Sequence, residues 1–202
     1  MNNITLTEEK FNDAWVTFWG NMRLANLADH YNEEGLKEEL KHAAGALSIE
    51  TGLAYPGALI VHINLFTNIA ERLAKMVCGT FPGISKESLV KVCCLQHLSK
   101  TEMYEKNDNQ WEIDKRGFIY KFAETEGCLK FGERSALNAM NNGVKLTPTE
   151  FEAICCLDHD GEDAKNRKYV VNILSTIVRQ ANELAYAIER EKINKLNSVE
   201  DI

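Results

Sequence analysis

A long run of apolar residues, from Ala58 to about Met76, constrains the fold more than any other feature of the sequence. Few polar residues interrupt it, which predicts a helix in the middle of a hydrophobic core. The segment before it, Thr51 to Gly57, contains Gly52 and Pro56 and therefore predicts a loop that leads into the helix.

Signals for helix starts recur along the chain. In Thr147-Pro148-Thr149-Glu150, the threonine is the predicted cap, the proline takes the first helical position and the glutamate closes a capping box. Thr5-Leu6-Thr7-Glu8 has the pattern of another capping box, and Ser85 is placed to cap a helix from Lys86 to about Leu98. Further predicted helices cover residues 33–46, a segment from about 132, and about 167–195.

One segment has a different pattern. Between Met103 and Phe122, apolar and polar residues alternate around the turn sequences Asn107-Asp108-Asn109 and Lys115-Arg116-Gly117. This predicts a β-hairpin insert at about 102–123. The predicted fold class is therefore all-α with a small β-hairpin insert. Its parts are N-terminal helices over residues 1–50, a helical domain over 51–195 and a frayed tail over 196–202.

The charge and the apolar content of the sequence argue against several classes of partner. The net charge is −7 and no dense run of Lys or Arg occurs, which argues against a nucleic acid as partner. No stretch approaches the roughly 18–20 apolar residues of a membrane helix, and Met1-Asn2-Asn3 lacks the basic and apolar regions of a signal peptide. We therefore expect a cytoplasmic protein without a membrane partner, whose six cysteines are reduced.

Five stretches follow one another in an order and at spacings that resemble a known family. They are Tyr55–His62, Cys94–Lys100, Phe131–Ser135, Ala153–His159 and Val178–Ala185. The first of these stretches resembles the segment with the first metal-binding histidine, and the second resembles the motif Leu-Leu-His-Asp-Leu-Gly-Lys. The third resembles the stretch His-Gly-Glu-Lys-Ser, and the fourth resembles a region with a further histidine. The last is similar to the closing motif Val-Arg-Gln-Ala-Asp-Glu-Leu-Ala. Together they resemble the HD superfamily of metal-dependent phosphohydrolases, over roughly residues 55 to 190.

The resemblance implies an HD-like helical bundle. In the family, histidines and aspartates bind one or two divalent metals, such as Mn, Fe or Mg, which activate water for attack on a phosphoester. In this chain only His62 matches a ligand position unchanged. The paired His-Asp is replaced by Gln96-His97, the next histidine by Phe131 and the closing aspartate by Asn182, while the later histidine falls near Leu157.

These replacements weaken the implied metal site. Amide oxygens bind divalent ions less strongly than carboxylates or imidazoles, and a phenyl ring does not bind them at all. We therefore expect no cofactor, leave the catalytic residues open, and predict a polar pocket. Its candidate residues are His62, Gln96, His97, Lys100, Glu133, Arg134 and Asn182. If a metal is bound, the candidate ligands are His62, His97, Asp158 and His159.

Three functions stay open from the sequence. The first is a catalytically degenerate HD-like protein, which binds a nucleotide or another phosphorylated small molecule or acts as a scaffold. The second is an active metal-dependent phosphohydrolase with rearranged ligands. The third is a structural or interaction module, either a homo-oligomer or the partner of another protein. Eroded HD motifs of this kind occur in phages and bacteria, so the resemblance is also compatible with a phage-encoded protein.

Overall fold

The computed structural model of the chain describes residues 6–78, 84–125, 127–156 and 172–200. The helices are α1 (Glu8–Leu24), α2 (Glu33–His42), α3 (Ala58–Cys78), α4 (Lys86–Leu95), α5 (Lys100–Met103), α6 (Gln110–Arg116), α7 (Phe131–Asn141), α8 (Pro148–Cys155) and α9 (Ile173–Glu200). The strands are β1 (Tyr104–Lys106) and β2 (Tyr120–Phe122). The predicted fold class, mainly helical with a small β-hairpin, is confirmed.

The predicted core helix is α3, which packs against α1, α4 and α9. Leu59, Ile63 and Phe66 repeat at helical spacing and are fully buried. α9 contributes apolar and small side chains to the same core. The buried α9 residues in this core are Leu174, Ile177, Val178, Ala181 and Ala185. The α3–α9 contact is the scaffold on which the polar residues described below are placed.

Two of the predicted helix starts agree with the structure in detail. The Thr147 side chain accepts a hydrogen bond from Glu150 N at 3.2 Å, and the Glu150 carboxylate accepts from Thr147 N at 2.8 Å. Ser85 Oγ accepts from Ser88 N at 3.0 Å and caps α4. Both caps satisfy backbone N–H groups that the first helical turn leaves without partners.

The start of α1 differs from the prediction. Thr7, rather than Thr5, caps the helix, because its side chain accepts from Lys10 N at 3.4 Å. Thr5 lies outside the described residues. The residue pattern contains two threonines two positions apart, and either could serve as a cap from sequence alone.

The hairpin insert contains a helix that the sequence did not indicate. β1 and β2 are antiparallel, with Glu105 opposite Lys121. Their connection is α6, which begins after Asn109, whose side chain accepts from Glu112 N at 3.3 Å. It ends at Gly117 with φ +64°, a left-handed conformation that glycine adopts without strain. The two predicted turn sequences are thus the N-terminal and C-terminal ends of this helix.

Three helix ends also differ from the predicted bounds, and the first is that of α2, which ends at His42 instead of Ala46. α4 ends at Leu95 instead of Leu98, so Gln96 and His97 lie in a turn between α4 and α5. α9 continues to Glu200, beyond the predicted end near 195. The part of this prediction that covers residues 167–171 lies outside the described chain. Among the described helices, none has the combination of length and apolar character needed to cross a membrane.

Candidate functional site

A buried polar cluster joins α3, the α4–α5 turn and α9. His62, in the second turn of α3, is fully buried and faces α9. Its Nδ1 lies 2.8 Å from Glu189 Oε2, and its Nε2 lies 3.0 Å from Asn182 Oδ1. Both nitrogens of the His62 ring therefore face oxygen acceptors supplied by one helix. His62 therefore links the Glu189 carboxylate to the Asn182 amide oxygen inside the core.

The second imidazole of the cluster is His97, which the α4–α5 turn places against the same amide. Its Nε2 lies 2.9 Å from Asn182 Oδ1, and the His62 and His97 ring centroids are 5.1 Å apart. The amide oxygen of Asn182 thus accepts from both rings. We call His62, His97, Asn182 and Glu189 the Asn182 cluster. Burial, then the charges of Lys100 and His62, lower the pKa of His97 well below its usual range, so this ring is neutral.

One face of α9 carries the polar residues of the site. Asn182, Tyr186 and Glu189 follow one another at i, i+4 and i+7, and each points toward α3 or α5. Residues with this spacing lie on the same side of a helix. Burial, with a smaller contribution from Glu189, raises the pKa of Tyr186, so its hydroxyl is protonated. The face combines a carboxylate, a phenol and an amide within two helical turns.

Lys100 lies next to the cluster and is almost completely buried. Its Nζ donates to Gly45 O and to Tyr186 Oη, each at 2.8 Å. The same ammonium group lies 5.7 Å from the ring centroids of both Tyr104 and Phe131, close enough for cation–π attraction. Lys100 therefore connects α5 to α9, to the hairpin and to the start of α7.

Gln96 turns away from the two histidines and toward α8. Its Nε2 donates to Ala153 O at 3.1 Å, and its backbone carbonyl accepts from Ser135 Oγ at 3.1 Å. Gln96 Oε1 is buried and has no hydrogen-bond partner within the described structure. Gln96, which the sequence resemblance aligns with a paired histidine, thus connects α4 to α7 and α8 and does not face Asn182.

The other predicted site residues lie elsewhere. Glu133, in the first turn of α7, accepts from Lys130 N at 3.1 Å and so caps its own helix. Arg134 is half-buried in the same turn. Phe131 packs against Tyr104, at a centroid distance of 5.4 Å. The candidate metal ligands Asp158 and His159 lie outside the described residues.

The donor atoms of the Asn182 cluster can be compared with the ligands that a metal centre requires. Two imidazole nitrogens converge on one amide oxygen, which accepts a hydrogen bond from each of them. The only carboxylate of the cluster, on Glu189, contacts the far nitrogen of His62. Within the described residues, no group of three or more His, Cys, Asp or Glu side chains is placed to hold a metal ion. These donors do not fit the two-metal centre that the resemblance implies.

Glu189 and Tyr186 were not among the predicted site residues. The sequence did contain a signal for them, since both lie on the helical face of Asn182, one and two turns farther along α9. That signal alone does not identify the partner of Glu189, because the partner depends on how α9 crosses α3.

Comparisons of the chain with protein-family models, with curated proteins and with solved structures give no match in any of the three. We therefore infer the function from the geometry of the site and from the motif resemblance of the sequence.

Proposed function

We propose that this chain is a non-hydrolytic protein with an HD-like fold, which acts through protein contacts. In this proposal, His62, His97 and Asn182, at positions where the family binds metal, instead hold the helices of the core together. One observation supports this proposal most strongly. The Asn182 amide oxygen lies within 3.0 Å of both imidazoles, at the point where the family would place a carboxylate beside a metal. The neutral amide oxygen, which both histidines share as an acceptor, holds α3, the α4–α5 turn and α9 together without a metal ion.

The burial of the cluster favours this role over the binding of a nucleotide or another phosphorylated molecule. His62, His97 and Asn182 are at most 8% exposed. Two surface clefts, of about 230 Å³ and about 170 Å³, are lined by residues from other parts of the fold. A phosphorylated ligand would need the cluster to open before it could reach these side chains.

The hydrogen-bonding capacity of the site points in the same direction. In the described structure, Gln96 Oε1 and Glu189 Oε1 are buried acceptors without hydrogen-bond partners. Phosphate oxygens are also acceptors and carry negative charge, so they match neither the amide oxygen nor the Glu189 carboxylate. A phosphate group would add repulsion near Glu189 instead of completing its hydrogen bonds.

A second candidate is the active metal-dependent phosphohydrolase with rearranged ligands. It is favoured by the Glu189–His62 contact, because metal-binding histidines commonly donate their second ring nitrogen to a carboxylate. Such a contact fixes the ring so that Nε2 points toward a metal. In the present cluster, that nitrogen points toward Asn182 instead.

Metal content distinguishes the two candidates. The chain is purified without a metal-affinity tag, incubated with Mn²⁺, Fe²⁺, Zn²⁺ or Mg²⁺, desalted and measured by elemental analysis. We expect much less than one ion per chain. About one ion per chain that is lost in His62→Ala and retained in His42→Ala, at an exposed histidine, would overturn the proposal in favour of the hydrolase.

A thermal-shift screen with nucleotides and inorganic phosphate tests the small-molecule alternative. A ligand that binds only the folded state raises Tm in a concentration-dependent way. We expect no shift. A shift that disappears in Lys100→Met would instead support a phosphate-binding pocket beside the cluster. Fractionation of the host cell would test the accompanying expectation that the protein is cytoplasmic.

A further inference from the structure

The loop between α2 and α3 and the hairpin insert are bonded to each other, although they lie far apart in the sequence. We call residues 44–54 and 104–122 together the outer layer. Ile49 N donates a hydrogen bond to Gly117 O at 3.0 Å, and Tyr120 N donates to a loop carbonyl at 3.2 Å. Each segment thus supplies hydrogen-bond partners for backbone groups of the other, and the two form one structural element.

The outer layer has a small hydrophobic core of its own. Its buried residues are Ala44, Ala54 and Tyr120, and partly buried apolar side chains pack against them. The main core, in contrast, contains large and fully buried side chains from the helices, such as Phe18 and Phe66. An element that buries few apolar groups opens at a lower free energy than the rest of a protein. The composition of the small core, two alanines and one tyrosine, therefore favours local opening of the outer layer.

The outer layer lies against α9 where this helix carries its polar face. Gly52 has φ +75°, and a Cβ at this residue would lie 3.1 Å from Glu189 O and 2.6 Å from Ile193 Cγ1. Glycine, which has no Cβ, allows the loop to approach the helix this closely. Tyr186 packs against a further small cluster that contains Leu53 of the loop. The loop thus covers α9 over the two turns that follow the shared amide.

Lys100 is a polar link between the outer layer and the helices. Its Nζ donates to Gly45 O in the loop and to Tyr186 Oη on α9, each at 2.8 Å. The same group lies 5.7 Å from the ring centroid of Tyr104, at the start of the hairpin. Hydrogen bonds from a charged donor contribute more to stability than those between neutral groups. One ammonium group thus holds the loop, the hairpin and α9 together.

We propose that the outer layer is a lid, which opens as one unit away from the polar face of α9, and that Lys100 keeps it closed. Opening exposes Tyr186 and Glu189 to solvent while the helices of the main core stay folded. The inference goes beyond the proposed function, because it identifies the part of the fold that controls access of solvent to the Asn182 cluster. Bound metal would overturn the proposed function and leave this inference unchanged.

Amide hydrogen exchange of the whole chain, followed residue by residue with ¹H–¹⁵N NMR, tests the inference. The probes are the amides of Ile49 and Tyr120 in the outer layer, and those of Ile63 and Val178 in the main core. Ile49 and Tyr120 should have equal protection factors, because one opening event exposes both. These should be at least about tenfold lower than the protection factors of Ile63 and Val178.

Two variants perturb the lid from different sides. Lys100→Met removes the ammonium group and should lower the protection of Ile49 by about tenfold to about a hundredfold. Tyr120→Ala removes the largest side chain of the small core and should also lower the protection of Ile49. Neither variant should change the exchange of Ile63. The control, Lys106→Met, makes the first change at an exposed lysine of the same hairpin and should leave all rates unchanged.

Three results would overturn the inference. Equal protection of Ile49 and Ile63 in wild type would show that the outer layer opens only when the whole chain unfolds. Unequal protection of Ile49 and Tyr120 would show that the loop and the hairpin open separately. Unchanged exchange of Ile49 in Lys100→Met, with faster exchange in Tyr120→Ala, would show that Lys100 does not keep the lid closed.

Discussion

The carboxylate of Glu189 lies 2.8 Å from Nδ1 of His62, and the two side chains are 6% and 0% exposed. Residues 127 positions apart in sequence thus form the closest polar contact between α3 and α9 in the Asn182 cluster. Removal of one partner of a buried hydrogen bond is destabilising, because the other polar group stays in the core without compensation.

Glu189→Ala should therefore lower the free energy of unfolding by about 1–3 kcal/mol. The matched control is Glu191→Ala, which removes the same side chain from an exposed position two residues along α9. Its effect should stay within about 0.5 kcal/mol. Urea denaturation of the three proteins measures both values. Equal stabilities for the two variants would mean that the Glu189–His62 contact does not hold α9 against α3.

Asn182→Leu should also destabilise the protein, for a different reason. The substitution removes the acceptor that His62 and His97 share and leaves two buried N–H groups without partners. Each unsatisfied buried donor costs about 1–3 kcal/mol, so we expect a total loss of about 2–6 kcal/mol for the two. Gln180→Leu, on the exposed side of the same helix, is the control for helix propensity and side-chain size. Denaturation midpoints of both variants, with unchanged m-values, would measure the difference.

Stability should decrease in mild acid because of His97. Its pKa in the folded state is well below its usual value, chiefly through burial. The unfolded chain, in which the pKa is about 6.5, then binds this proton more readily than the folded chain. The contribution of His97 to the free energy of unfolding is thus fully present above about pH 6.5. It is lost as the pH falls below that value, by up to about 1.4 kcal/mol per pH unit.

The His97→Gln variant isolates this contribution. Glutamine does not titrate, and its amide N–H can still donate to Asn182. The free energy of unfolding, measured by urea denaturation between pH 8 and pH 5, should therefore depend less on pH in His97→Gln than in wild type. Parallel pH profiles would show that another group controls the acid sensitivity.

Local features of the fold were predictable from sequence, because their causes lie within a few residues. The caps at Ser85 and Thr147 depend on a side chain and a backbone N–H three residues apart. The α3 core helix depends on apolar periodicity. The helix inside the hairpin, α6, was missed because turn residues such as Asn109 and Gly117 serve equally well as helix caps.

The site was only partly predictable, because its geometry depends on how distant helices pack. The motif resemblance selected His62, His97 and Asn182, which the structure places within hydrogen-bonding distance. Nothing in the sequence indicates that Gln96 turns toward α8, since that orientation depends on a carbonyl 57 residues away. Glu189 was missed for the same reason, because its role is defined by a partner on another helix.

Asn182→Asp provides the most direct test of how this site differs from a metal centre. The substitution changes the shared amide oxygen to a carboxylate between two imidazoles, a ligand set that suits a single Zn²⁺ ion. We expect this variant to retain about one Zn²⁺ per chain after desalting, and wild type and Asn182→Leu to retain almost none. Without metal, the new carboxylate should raise the pKa of His97 by favouring its charged form. Elemental analysis and ¹H–¹⁵N NMR of the histidine rings measure the two effects. Asn182→Asp could instead keep its fold and still fail to bind Zn²⁺. That result would show that the positions of His62 and His97 prevent metal binding, and that the missing carboxylate is not the reason why the wild type binds no metal.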